Sequence, residues 1–213
     1  MTQEEKLQAR ERILKAALQL FARKGFFAVG VREIAAQAQV NISMISYYFK
    51  GKTGILVTIM AAFMDQTYGI LENAIARDLP ADPKLRRVIE DLIDFVQDNF
   101  ELTEVVFQAM PLDIPEIAQQ KSEHVNHIIS LYNDLAVGLG LEPNDIELFT
   151  SIGPAMISII LTHFRFKNIQ RQIFGLEFNS EFYVRYKQII TTLILDGMHG
   201  LARIPDEIKE LHS

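Results

Sequence analysis

Apolar residues recur every three or four positions along almost the whole chain, the period of amphipathic helices. In residues 7–24, Ile13, Leu14, Ala17, Leu18 and Phe21 mark one face. Gly25 stops this helix, and Arg23 and Lys24 suit the negative end of its dipole. A second, short helix is predicted from Gly30 to Ala38, with Ile34 and Ala38 facing inward and Arg32 elsewhere. Glu33 supplies half of a capping box whose usual hydroxyl is missing. Gln39 and Val40 form a turn, and Asn41 is a good N-cap for a third helix, Ile42 to Phe49. There Ile45 and Phe49, four apart, face inward and leave Ser43, Met44, Tyr47 and Tyr48 outside.

Lys50-Gly51-Lys52 breaks the pattern. A fourth helix is predicted from about Thr53 to Ala76, with a stripe of Ile55, Leu56, Ile59, Met60, Phe63 and Met64. Leu79-Pro80-Ala81-Asp82-Pro83 is a breaker. Residues 84–100 read as a helix and 101–109 as a separate short one, ended by Met110-Pro111. Pro115 opens the next helix as its first residue, and that helix ends at Gly138 or Gly140. Pro143 precedes a helix from Asn144 to about Phe166, with a kink predicted near Gly153-Pro154. A loop is expected from Asn168 to Asn179, then a last helix capped by Asn179 or Ser180 and running to Leu201, with Pro205 ending regular structure. No strand-like alternation persists. The fold class is therefore all-α: a three-helix N-terminal head, residues 1–52, and a larger helical body, residues 53–213.

Nearly half the residues are hydrophobic, enough for a packed core. Cysteine is absent, which excludes disulfides, thiolate metal sites and a cysteine nucleophile and suits a cytoplasmic location. The opening MTQEEKLQARER has no apolar signal core. The runs MISIIL and IITTLIL are far shorter than the roughly 20 residues that span a bilayer, so no membrane partner is expected. The net charge of −6 hides an asymmetry. Residues 1–52 hold nine Lys and Arg against four acids, a net +5, and the remainder carries −11. A basic head on an acidic body is the distribution of a phosphate-binding module joined to a domain that does not touch nucleic acid.

Three short helices joined by tight turns, the third exposing polar and aromatic groups, form a helix-turn-helix pattern. Through Ile13-Leu14-Lys15-Ala16-Ala17, Leu20-Phe21-Ala22, Lys24-Gly25-Phe26, Val31-Arg32-Glu33-Ile34-Ala35, Ala38, Val40-Asn41, Ile45-Ser46-Tyr47-Tyr48-Phe49 and Lys52, the chain resembles the TetR family of bacterial regulators over about residues 10–60. The resemblance implies a double-stranded DNA operator, a homodimer formed through the last two long helices, and an effector pocket in the body. It makes Lys52 and Tyr48 phosphate contacts. Arg32 can reach a base edge, with guanine its usual partner, and Ile42, Ser43, Met44 and Tyr47 lie along the major groove. Val29 and Gly30 stand where the family has a hydroxyl residue, leaving only backbone N–H groups for a phosphate. Gln39 stands where the family has a turn glycine, and a positive φ there costs about 1 kcal/mol. Ser43, Ser46 and Thr53 also replace common family residues.

In the body, single polar groups on apolar faces are candidate effector contacts: Gln108, Tyr132, Asn133 and His163. A histidine in such a place equally serves as a packed core group. His124 and His127 are spaced for a metal pair, but no further ligand lies at useful spacing, so neither metal nor cofactor is expected. The abundance of Phe, Ile, Leu and Met suits an apolar pocket and a hydrophobic or amphipathic effector. No nucleophile elbow, phosphate-binding loop or zinc-protease motif occurs, so an enzyme is not expected. The function expected is a DNA-binding regulator, a repressor by family default, released from its operator by that effector. The alternative is a helical adaptor that reuses the helix-turn-helix for protein contacts; steeply salt-dependent DNA binding separates the two.

Overall fold

The computed structural model describes residues 2–108, the Gln108 side chain excepted, and 111–203. The helix ends expected at Met110 and at Pro205 lie outside the described residues. Among those residues all regular structure is helical: α1 (Gln3–Lys24), α2 (Val31–Ala38), α3 (Ser43–Phe49), α4 (Lys52–Ile75), α5 (Ala81–Asp98), α6 (Phe100–Gln108), α7 (Pro115–Gly138), α8 (Ile146–Phe174) and α9 (Ser180–Leu201).

The helices gather into two compact units. One comprises residues up to Thr67 with Asn99–Val125; the other comprises Tyr68–Asp98 with the described residues from Asn126 onward. Packing therefore does not divide the chain at residue 52. The reason is local: α6 packs on α1, and Gln120 of α7 donates from Nε2 to the Val57 carbonyl at 3.4 Å.

In the first unit, α1 starts earlier than its apolar stripe suggests. Thr2 and Glu5 close a capping box: the Glu5 N–H donates to Thr2 Oγ1 at 3.2 Å, and the Thr2 N–H to Glu5 Oε2 at 2.8 Å. Two of the helix's orphan donors are thereby satisfied. The helix ends as predicted at Gly25, φ 77°. Ala9, Ile13, Ala16, Ala17, Leu20 and Phe21 form its buried face. Ile34, Ala35 and Ala38 of α2, Ile45 and Phe49 of α3, and Ile55, Leu56 and Met60 of α4 are buried in the same unit. Each large apolar side chain so buried contributes about 1.5–3 kcal/mol.

The second unit departs from the sequence reading twice. Helix α5 begins at Ala81 rather than 84, because Pro83 falls in the first turn, where its missing N–H costs nothing. Helix α8 is unbroken through Pro154 and through most of the stretch predicted as a loop. Asp145 caps it, accepting from the Leu148 N–H at 2.9 Å, and Gly175, φ 64°, stops it. The polar run Asn168, Gln170, Arg171, Gln172 is simply the wetter side of a continuing helix. In α9, Asn179 accepts from the Phe182 N–H at 2.9 Å, the cap predicted. Lys187 pairs with Asp94 at 2.6 Å, and His199 with Asp82 at 3.0 Å, joining α9 to α5.

Helices α4 and α8 are each long and apolar enough to cross a membrane, with 18-residue windows of mean hydropathy 1.4. Counting uninterrupted apolar runs missed this, since Gly, Ser and Thr dilute such a helix without charging it. In α4, 44% of the window is buried within the protein; in α8 only 17% is.

Candidate nucleic-acid interface

The turn between α2 and α3 is closed by backbone. Gln39 adopts φ 55°, ψ 49°, and the N–H groups of Gln39 and Val40 donate to the Ala36 and Ala35 carbonyls at 3.2 and 3.0 Å. The left-handed conformation predicted for this non-glycine residue is therefore present. Asn41 stands one residue ahead of the N-cap, because α3 begins at Ser43 and its N-cap is Ile42, which makes no side-chain cap bond. The Asn41 Oδ1 accepts from the Ser43 N–H at 2.9 Å and from Ser43 Oγ at 2.8 Å. The Ser43 hydroxyl has thus spent its proton inside the protein and can only accept from a base or phosphate-bound water.

At the far end of α3, Lys50 takes φ 59° and Gly51 φ 120°, and α4 starts at once. The chain reverses so sharply that the Phe49 carbonyl abuts Gly54. A Cβ on Gly54 would stand 1.7 Å from that oxygen and 2.9 Å from its carbon. Only glycine lets α3 and α4 approach this closely.

The surface that results is selective about what it exposes. Tyr47 is 72% and Ile42 is 42% accessible; Arg32 and Ser43 are exposed, and Met44 and Tyr48 half-buried. Tyr47 and Tyr48 meet edge to face at 4.9 Å, so each ring holds the other's direction. The cations around this surface differ in availability. Lys24 pairs with Glu33 at 2.6 Å, and Arg23 donates to Gln37 Oε1 at 3.4 Å. Arg32 has neither an ion pair nor a side-chain hydrogen bond among the described residues. The N-cap of α2 is Gly30, which brings no side-chain cap, so the first N–H groups of the helix have no side-chain acceptor from it.

Lys52 is placed differently from the other predicted contacts. Its ammonium turns inward and donates to the Phe26 and Val29 carbonyls, both at 2.9 Å. It lies 4.2 Å from the centroid of the Phe26 ring. Loss of hydration lowers its pKa from the usual lysine value. Two of its three donors are therefore occupied before any DNA arrives.

Three of the four body candidates, Tyr132, Asn133 and His163, lie in the second unit. His163 is 7% accessible and sits in an aromatic box. Ring centroids lie at 4.4 Å for Tyr186, 5.0 Å for Phe164, 5.3 Å for Phe178 and 5.4 Å for Phe182. Burial pushes its pKa below 6.5, against a side-chain hydrogen bond with Gln170 that raises it, and Lys167 adds to the lowering. Asn133 accepts the Asn144 N–H at 2.8 Å and ties down the α7–α8 loop, where Asn144 has φ 61°. Burial raises the Tyr132 pKa. The Gln108 side chain is outside the described residues. Two shallow grooves, of about 450 and 500 Å³, flank the α8–α9 loop at Phe182 and Arg185 and at Arg171 and Phe178; Tyr132, Asn133 and His163 line neither.

Residues 13–59 match the sequence profile described as "Bacterial regulatory proteins, tetR family". The chain is 30% identical over 122 residues to the "Probable HTH-type transcriptional regulator YttP" of Bacillus subtilis (strain 168). That alignment takes in 56% of this chain but only 59% of the relative, under two thirds of its length. It is also 27% identical over 138 residues to the Bacillus subtilis "Fatty acid metabolism regulator protein", covering 63% of this chain and 69% of that one. The fold is shared with the crystal structure of FadR from Bacillus subtilis in complex with stearoyl-CoA, at TM-score 0.67 and 21% identity, over 88% of this chain and 98% of that one. With the helix-turn-helix geometry in place and the profile falling on it, residues 13–59 form a DNA-binding head of the kind described for the bacterial regulatory proteins of the tetR family.

Proposed function

We propose that this protein is a cytoplasmic transcriptional regulator that binds a near-palindromic DNA operator as a homodimer and is governed by an amphipathic effector. The observation that carries the reading is the surface of α2 and α3. Arg32 on α2 is exposed and, among the described residues, unpaired; Tyr47, Ile42 and Ser43 on α3 are exposed, within a segment of net charge +5. Arg32 reads a base edge, Tyr47, Met44 and Ser43 lie along the major groove, and Tyr48 and the α2 N-terminus hold phosphates. Residues 1–52 do the DNA work in this reading, and residues 53–213 sense and dimerise.

The dimer reading is supported by α8 and α9. Ile159, Phe166, Ile169 and Ile173 are exposed large apolar residues on α8, spaced by seven, three and four positions, and Ile189 and Leu193 are exposed on α9. Such a stripe is a helix-packing face. The effector reading draws on the structural relative solved with stearoyl-CoA and on the apolar composition of the body. Effector binding favours a dimer with its heads at a different spacing, which releases the operator, with repression as the family default.

The test is a mobility shift on the DNA upstream of this chain's own gene at two salt concentrations, with wild type and Arg32→Ala. Specific, salt-sensitive binding that Arg32→Ala weakens by about 1–3 kcal/mol, with relaxed choice at one base, supports the reading. Failure there and in a random-site selection would move the assignment to the protein-contact adaptor.

A further inference from the structure

We propose that Lys52 acts chiefly as a positioning residue: its ammonium clamps the turn Phe26–Val29 and so sets the N-terminus of α2 against the DNA. The inference rests on the DNA-binding reading for its purpose, but its geometry stands within one unit of the fold.

A lysine that serves a phosphate holds its ammonium in water until the phosphate arrives. Lys52 has exchanged that water for the Phe26 and Val29 carbonyls at 2.9 Å each and for the face of the Phe26 ring at 4.2 Å. These are charge-assisted bonds, the stronger class, and they reach back 26 and 23 residues along the chain. The turn they hold needs support. Its own closing bond, from the Val29 N–H to the Phe26 carbonyl, is long at 3.3 Å. Gly30 follows directly and brings no side-chain cap to α2. The polar ties between α1 and α2, Lys24 with Glu33, Arg23 with Gln37 and Gln37 with Gln19, are solvent-exposed and of the kind worth little. The side chains of Phe26 and Val29 are buried and fix where the turn lies; Lys52 fixes which way its carbonyls, and hence the next residues, point. Since Lys52 is also the first residue of α4, the clamp joins the start of α4 to the start of α2.

A phosphate contact and a clamp make opposite predictions. One neutralised phosphate contributes about 0.9 to the slope of log affinity against log salt. A clamp contributes affinity with almost no slope. Amide hydrogen exchange is therefore measured on DNA-free wild type and Lys52→Met, at Val29, Glu33 and Ile34, with the Lys50 N–H in α3 as reference. DNA affinity is measured for both proteins across a salt series. The expected result is exchange faster by about tenfold or more at the first three positions, an unchanged reference, weaker DNA binding and an unchanged slope. Unchanged exchange overturns the proposal, whether or not the slope falls by about 0.9. Absence of DNA binding by wild type would instead refute the regulator reading, while the exchange result still decides the clamp. If Lys52→Met does not fold, the wild-type lysine Nζ spectrum decides. A slowly exchanging ammonium shifted by the Phe26 ring supports the clamp, and a freely hydrated one overturns it.

Discussion

Replacing Gly54 by Ala sets two physical effects against each other. Helix propensity and unfolded-chain entropy both favour Ala, by about 1 kcal/mol at an unstrained helical site. The structure opposes them. A carbon normally stays about 3.3 Å from a carbonyl oxygen, whereas the new Cβ would stand 1.7 Å from Phe49 O, a shortfall of about 1.6 Å on that spacing. The obstruction is backbone, so no side-chain rotation relieves it, and α3 must move away from α4. Overpacking of this kind costs about 1–3 kcal/mol and occasionally more, and an immovable neighbour puts it at the upper end. The net is a destabilisation of about 2 kcal/mol. For a chain of this size that lowers the melting midpoint by about 4–8 °C. The assay is thermal unfolding followed by circular dichroism, with operator binding measured below the transition. Because α3 carries Tyr47 and Ser43, affinity should fall as well. An Ala variant that melts at or above wild type would refute the close-approach reasoning.

Three further outcomes are expected. Gln39→Gly removes the cost of a left-handed non-glycine residue, φ 55°; it should raise stability by about 1 kcal/mol and leave operator binding unchanged, which a melting curve and a mobility shift check. His163 has a folded pKa below its unfolded 6.5, so its neutral form supports the fold fully above 6.5 and that contribution is lost as pH falls toward the folded value; the stability difference between wild type and His163→Gln should shrink below pH 6.5, and a difference independent of pH would count against the buried neutral histidine. Ile169→Glu, at a residue 50% accessible on α8, should convert a dimer to a monomer in sedimentation velocity; a wild type that is already monomeric would remove the interface reading.

The head was legible because its signals are local. Gly25 and the inward pairs Ile34/Ala38 and Ile45/Phe49 each act through neighbours within four residues, and all take the predicted roles. Two further signals are equally local: Thr2 with Glu5 three residues later is a capping box, and Gly175 is the stop that α8 runs to. The polar stretch after Asn168 was read as a loop from composition, although nothing there breaks a helix. What sequence spacing cannot supply is contact across the chain. The reach of Lys52 back to Phe26 and Val29 and the meeting of Gly54 with the Phe49 carbonyl depend on how three helices fold together. So does the use of Asn133, which looked like a polar group offered to a ligand and instead holds the Asn144 N–H.

The thinly buried face of α8 has a consequence for this protein's abundance. Only 17% of its most apolar window lies inside the protomer. If a second copy seals that face, free energy released on association is part of the free energy of folding, and the two cannot be separated. The melting midpoint would then climb with protein concentration, and dilution alone would weaken the fold. A regulator present in few copies per cell would sit closest to that edge, where each protomer lost to proteolysis loosens the hold of its former mate.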